Sequence, residues 1–189
     1  MFRILKNVEL YTPEYAGSKD ILTAYGKIAL IADKIDIAQP LRPDVVDCSG
    51  MAAVPGLIDQ HVHITGGGGE QGPGSTIGPI CRDELVKAGI TTVVGLLGCD
   101  GVGKSMQELL MKARSLEADG LTAFIYTGNY GVPPVTITGR VLTDIALIDK
   151  VIGAGEIAIS DHRSSCPTRN ELAKLAYEAL TGGMLGGKA

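Results

Sequence analysis

Apolar and polar positions alternate along the first fifty residues, and the alternation breaks at clusters of glycine, proline and acidic residues. Short strands are predicted over residues 4–10, 20–24 and 27–32. Tyr25, Gly26 and Lys27 form the tight turn between the last two. A further short strand covers 45–50 and closes on Gly50. The expected product is a small β-sandwich module over residues 1–52 with no chemistry of its own. After residue 53 the rhythm becomes strand, helix, strand. Strands are predicted over 54–62, 91–97, 122–126 and 156–160. The helices fall over 80–88, 105–118, 143–153 and 168–181. This order implies an α/β fold with a parallel sheet, open or closed into a barrel, over residues 53–189. Its strands are apolar on both faces, as strands covered by helices must be; the run 54–58 reads as buried.

Composition narrows the class. Apolar residues make up 45% of the 189 positions and charged residues 20%, which is globular. A formal net charge of −4 gives no electrostatic reason to expect nucleic acid or an anionic membrane as partner. No stretch reaches the ~18 apolar residues of a membrane span, and the first residues lack the apolar region of a signal peptide. The cysteines, Cys48, Cys81, Cys99 and Cys166, show no C-x-x-C spacing. A reduced, cytoplasmic protein is the expectation.

In parallel α/β folds, ligands meet the carboxyl ends of the strands, and the chemically able residues fall there repeatedly. The strand over 54–62 runs into His61, Val62 and His63, then into four glycines and Glu70. Side chains on a strand alternate faces, so His61 and His63 point the same way and can grip one metal ion. Asp59 shares that face, as a further ligand or as the partner of a ring N–H. The second strand ends at Gly98, Cys99 and Asp100, the third at Thr127 to Tyr130, and the fourth carries Glu156, Asp161, His162 and Arg163. A competing motif overlaps the second strand end. Residues 98–105 satisfy G-x-x-x-x-G-K-[ST], a phosphate-binding loop in which Lys104 would meet a nucleotide phosphate. Against it, Asp100 would face the phosphate oxygens, and the histidine pair would have no role.

Residues 54–63, following a β module, resemble the first barrel strand of the metal-dependent amidohydrolase superfamily. Residues 59–70, 93–98, 127–130 and 158–163 together resemble isoaspartyl dipeptidases, and the resemblance covers nearly the whole chain. It implies the N-terminal half of a (β/α)8 barrel that hydrolyses β-aspartyl dipeptides through a hydroxide bridging two divalent metal ions, taken as zinc. His61 and His63 then match metal ligands, and Glu156 stands where the family carries a carboxylated lysine, with one extra residue before it. Glu70 matches the carboxylate that takes the substrate's free amino group, and Gly68 lines the same pocket. Tyr130 matches the residue that stabilises the oxyanion, and Arg163 the residue that holds a substrate carboxylate. Cys99 stands where the family tends to have threonine. Asp161 and His162 are expected to orient or support the others rather than to bind metal.

A closed barrel of this kind needs roughly 250 residues. Four strand–helix units are present, and after His162 the chain has no further histidine. Two more histidines and an aspartate, expected on later strands, therefore belong to a C-terminal half outside this sequence. Three readings follow: a metallohydrolase completed by that half and assembled as a homo-oligomer, a nucleotide-binding protein using residues 98–105, or a non-catalytic amidohydrolase fragment.

Overall fold

The structure is a computed structural model and describes residues 2–37 and 42–188. The chain divides into two compact units, Met1–Gly56 and Leu57–Ala189.

The first unit is built on β1 (Phe2–Tyr11), which pairs antiparallel with β2 (Tyr15–Ala24). A turn at Tyr25 (φ 51°) and Gly26 (φ 78°) returns the chain into β3 (Lys27–Ala32). Two consecutive positive φ values match the right-handed twist of a two-residue hairpin. The other flank of β1 takes β4 (Asp44–Asp47) and β5 (Ala52–Ala53) in parallel. Val8, Leu10, Ile21 and Cys48 form the apolar centre. Beside it the Asp20 carboxylate is 2% exposed. It accepts from the N–H groups of Asn7 (3.0 Å) and Ile35 (2.9 Å) and pairs with the Lys6 ammonium (3.0 Å). Among the described residues this unit is a single sheet, where a sandwich was expected. All its strands join one hydrogen-bonded sheet, which leaves no strand to form a second layer, and Ile28, Leu30 and Ile31 on β3 stay exposed.

The second unit opens with β6 (Leu57–Val62). A small hairpin, β7 (Gly67–Gly68) with β8 (Thr76–Ile77), follows and leads to α1 (Arg82–Lys87). The chain continues through β9 (Ile90–Gly95), α2 (Met106–Ala118), β10 (Thr122–Thr127), α3 (Val141–Leu147), β11 (Val151–Ala154) and α4 (Arg169–Gly186). The four long-range strands are parallel, in the order β11-β10-β9-β6. Helix α2 buries Met106, Leu109, Ala113 and Leu116, spaced to fall on one face, in the core with Val93, Ala123 and Ile125. Its start is fixed by Ser105, whose hydroxyl accepts from the Glu108 N–H at 3.1 Å. Helix α4 opens on a Thr168–Glu171 capping box and ends on left-handed Gly187.

Two expectations are corrected here. The fourth strand is Val151–Ala154, not 156–160, and the helix before it stops at Leu147. Glycines 153 and 155 disguise this strand, because glycine carries no side chain to show an apolar period. Gly153 nonetheless pairs with Tyr126, whose ring takes the space a side chain would need. The run expected to be buried, 54–58, is exposed: Leu57 and Ile58 are 60% and 63% accessible. They lie on β6, a sheet edge with one hydrogen-bonded neighbour, so half the cover of an interior strand is lacking.

Candidate metal and substrate site

The parallel strands deliver their polar residues to one edge. His61 is the penultimate residue of β6 and His63 follows its end; Glu156 lies two residues beyond β11. The Glu156 Oε2 oxygen is 3.1 Å from His61 Nε2 and 3.2 Å from His63 Nε2. The two rings stack with centroids 5.7 Å apart, as the strand alternation requires of residues separated by one. All three donor atoms lie within 4.8 Å of one another, which makes them a candidate metal-binding group. Gly98 lets the His63 ring into place: a Cβ there would lie 2.8 Å from the ring. Asp59 does not reach a ring. Its carboxylate accepts from the His61 backbone N–H at 3.0 Å.

Next to this cluster is a cavity of about 260 Å³, walled by His63, Gly68, Glu70, Cys99, Tyr130 and Arg163 among others. Gly68 has φ 79°, and a Cβ would strike the Ser75 carbonyl at 2.5 Å, so the hairpin that carries Glu70 depends on it. Arg163 is the electrostatic hub. Its Nε and Nη2 donate to the two Asp161 oxygens at 2.8 Å each, a bidentate pair. Its Nη1 pairs with Glu70, and its guanidinium carbon lies 4.9 Å from the Tyr130 ring centroid. The guanidinium hydrogen bonds hold the Asp161 carboxyl well below the usual carboxylate range, and Asp161 in turn pushes Arg163 up. Burial and the neighbouring Glu156 carboxylate push the Tyr130 phenol above its ordinary value.

The residues singled out from the sequence thus gather at one edge of this unit. His162 is the exception: its side chain is 78% exposed, and its Nδ1 lies 3.5 Å from the Asp161 carboxylate. One supporting role was expected in kind, and one contribution escaped sequence reasoning. Asp161, expected to support the other residues, does so by clamping Arg163. Lys104, placed in the competing motif, lines the cavity and donates to the Thr65 carbonyl at 2.8 Å. The phosphate loop itself is filled from within. Asp100 Oδ1 accepts the N–H groups of Val102 (3.1 Å) and Gly103 (2.6 Å), the donors that a phosphate would need.

A parallel α/β sheet thus brings two histidines and a carboxylate together at its carboxyl edge. The overall arrangement matches that of dihydropyrimidinase from Brevibacillus agri NCHU1002, at 18% identity a likeness of fold alone (TM-score 0.60, 95% of this chain and 38% of that one). In sequence as well as in fold, this chain resembles beta-aspartyl dipeptidase. It is 48% identical to the enzyme from Fervidobacterium islandicum AW-1, with a TM-score of 0.94 over 99% of this chain and 51% of that one. A second structure of that enzyme, in complex with beta-Asp-Leu dipeptide, gives a TM-score of 0.92. Among curated proteins, the dihydroorotase of Elusimicrobium minutum (strain Pei191) is 28% identical over 163 residues, 85% of this chain and 35% of that protein. No family model matches the chain. The chain spans about half the length of the dipeptidase and about a third of the dihydroorotase.

Proposed function

We propose that this chain carries part of the active site of a metal-dependent dipeptidase, one that hydrolyses the β-aspartyl (isoaspartyl) bond of dipeptides. The observation that carries this reading is the meeting of His63 and Glu156, 93 residues apart, with His61, beside the Glu70–Arg163 pair. The donor set suits a zinc-like ion. Atoms bound tetrahedrally at about 2.0–2.1 Å sit roughly 3.3 Å apart, against 3.1 and 3.2 Å for the two imidazole–carboxylate separations. When bound, divalent metal supplies Lewis-acid polarisation of the scissile carbonyl and an activated water. Glu156 would hold such an ion together with His61 and His63.

The other residues read the substrate. Glu70 takes the free ammonium of the isoaspartyl residue and Arg163 a carboxylate, each exchanging the other for a substrate group. Tyr130, whose phenol stays protonated at neutral pH, donates to the carbonyl oxygen as negative charge grows there. Gly68 contributes backbone to the same wall, and Cys99 lies beside the carboxylate position. The two outer strands of the sheet, β6 and β11, are where the remaining strands of a barrel add, with the further metal ligands and the catalytic aspartate. A homo-oligomer is the expected assembly.

Calorimetric titration of the zinc-loaded chain with β-Asp-Leu and α-Asp-Leu tests the reading. Binding of the β isomer at least about tenfold tighter is expected, with leucine released when a C-terminal half is supplied. Equal affinity for both isomers contradicts it.

A further inference from the structure

We propose that Gly67 is a positioning residue of the metal site, holding the His63 ring in the pose that turns Nε2 toward Glu156; the inference rests on the metal-dependent reading above. Four consecutive glycines, 66–69, follow the histidine pair. Three of them are required by the backbone. Gly66, Gly68 and Gly69 take φ values of 89°, 79° and 91°, in the left-handed region that other residues rarely adopt. Gly67 takes no positive φ and sits in the β7–β8 ladder opposite Ile77. An alanine suits that backbone, so the missing side chain at 67 has another cause.

That cause is the imidazole of His63. A Cβ at Gly67 would lie 2.8 Å from His63 Nδ1 and 3.6 Å from its Cβ and Cγ, and these are the three nearest atoms it would meet. A Cβ at Gly98 would lie 2.8 Å from Cε1 of the same ring. The two glycines therefore line the Nδ1–Cε1 edge of the imidazole. Gly98 also has φ 74°, so its backbone favours glycine in any case; at Gly67 it is the ring that a side chain would displace. With that edge against backbone, Nε2 faces the Glu156 carboxylate at 3.2 Å. His63 is the more enclosed of the two imidazoles, its side chain 31% exposed against 59% for His61, so its pose is set by what surrounds it. Non-bonded carbon contacts are most favourable at about 3.5–4.0 Å, so a methyl group at 67 obliges the ring to give way. Metal–ligand distances tolerate only about 0.2 Å, and a working site needs its groups held within about 0.5 Å. The movement that relieves the clash is larger than the ligand geometry accepts.

Equilibrium dialysis of zinc against the unsubstituted chain, Gly67→Ala and Gly74→Ala tests this, with the urea midpoint of each metal-free protein measured alongside. Gly74 is the control. It lies in the connection of the same hairpin, takes no positive φ, and a Cβ there meets nothing within 4 Å. Gly67→Ala is expected to weaken zinc about tenfold or more at an unchanged midpoint, and Gly74→Ala to match the unsubstituted chain. Should the midpoint of Gly67→Ala fall, the same substitution made in His63→Ala is expected to leave the midpoint where His63→Ala alone puts it, because the ring it strikes is gone. Unchanged zinc affinity in Gly67→Ala overturns the proposal. So does an equal loss in Gly74→Ala, or a lowered midpoint that persists without the His63 ring; either would mean that the glycine serves the hairpin. An unsubstituted chain that holds no zinc overturns the metal reading and this proposal together.

Discussion

Asp144 and Glu156 lie on the same unit and do opposite things. Asp144 is fully buried and saturated. It accepts from the Thr127 hydroxyl (2.5 Å), the Ile137 N–H (2.9 Å), the Thr138 N–H (2.7 Å) and the Thr138 hydroxyl (2.6 Å). It thereby ties the start of α3 to the end of β10 and to the loop between them. Glu156 keeps 24% of its side chain accessible and meets two imidazoles through one oxygen. A carboxylate whose acceptor sites are filled by donors from its own fold holds structure. One that shares an oxygen with two ring nitrogens has capacity left for a cation. Asp20 repeats the saturated pattern in the first unit, with two backbone donors and a lysine.

The comparison breaks most sharply at Asp144. Asp144→Ala strands two backbone N–H groups in a part-buried setting and is expected to cost roughly 3 kcal/mol or more. The urea midpoint reads it; a loss under about 1 kcal/mol would remove the structural half of the contrast.

Asp20 comes next, and it adds a pH signature. Burial pushes its carboxyl up, but the Ile35 and Asn7 N–H groups and the Lys6 ammonium outweigh burial, and the net shift is downward. A carboxyl whose folded value is depressed contributes stability that is complete above its unfolded value, near 4, and fades as pH falls through the lower folded value. Asp20→Asn should cost about 2 kcal/mol at pH 7 and flatten the decline below pH 4. Melting curves from pH 7 to pH 2 measure both, and an unchanged acid limb in the variant would contradict the assignment.

Glu156→Gln gives the smallest effect. In metal-free protein it should shift stability by no more than about 0.5 kcal/mol, because its carboxylate meets the site side chains His61, His63 and Tyr130, contacts that the Gln amide can still make. A large loss in that variant would place Glu156 with Asp144 rather than apart from it.

How much of this was legible in the sequence follows from the same physics. The hairpin at Tyr25 and Gly26, with the strand over 27–32 and the end of the strand before it, was readable because alternation and turn residues are local signals. The shared face of His61 and His63 was readable because a period of two needs no tertiary information. The fourth strand was misplaced because Val151, Ile152, Gly153 and Ala154 are too short and glycine-broken to show a period, while Ile157, Ala158 and Ile159 imitate one. The exposure of Leu57 and Ile58 depends on which strand lies at the sheet edge, a property of the whole sheet. The phosphate-loop spacing around Lys104 stood as a competing motif with Asp100 already counted against it; that the Asp100 carboxylate takes the loop's own N–H groups shows only in three dimensions.

The central claim is that His61, His63 and Glu156 form one metal-binding group. Equilibrium dialysis against zinc, with the bound metal counted in the unsubstituted chain, His61→Ala and Glu156→Gln, tests it most directly. Zinc held by the unsubstituted chain and weakened at least about tenfold in each variant is the predicted result. Equal zinc content in all three, or none in the unsubstituted chain, would contradict it.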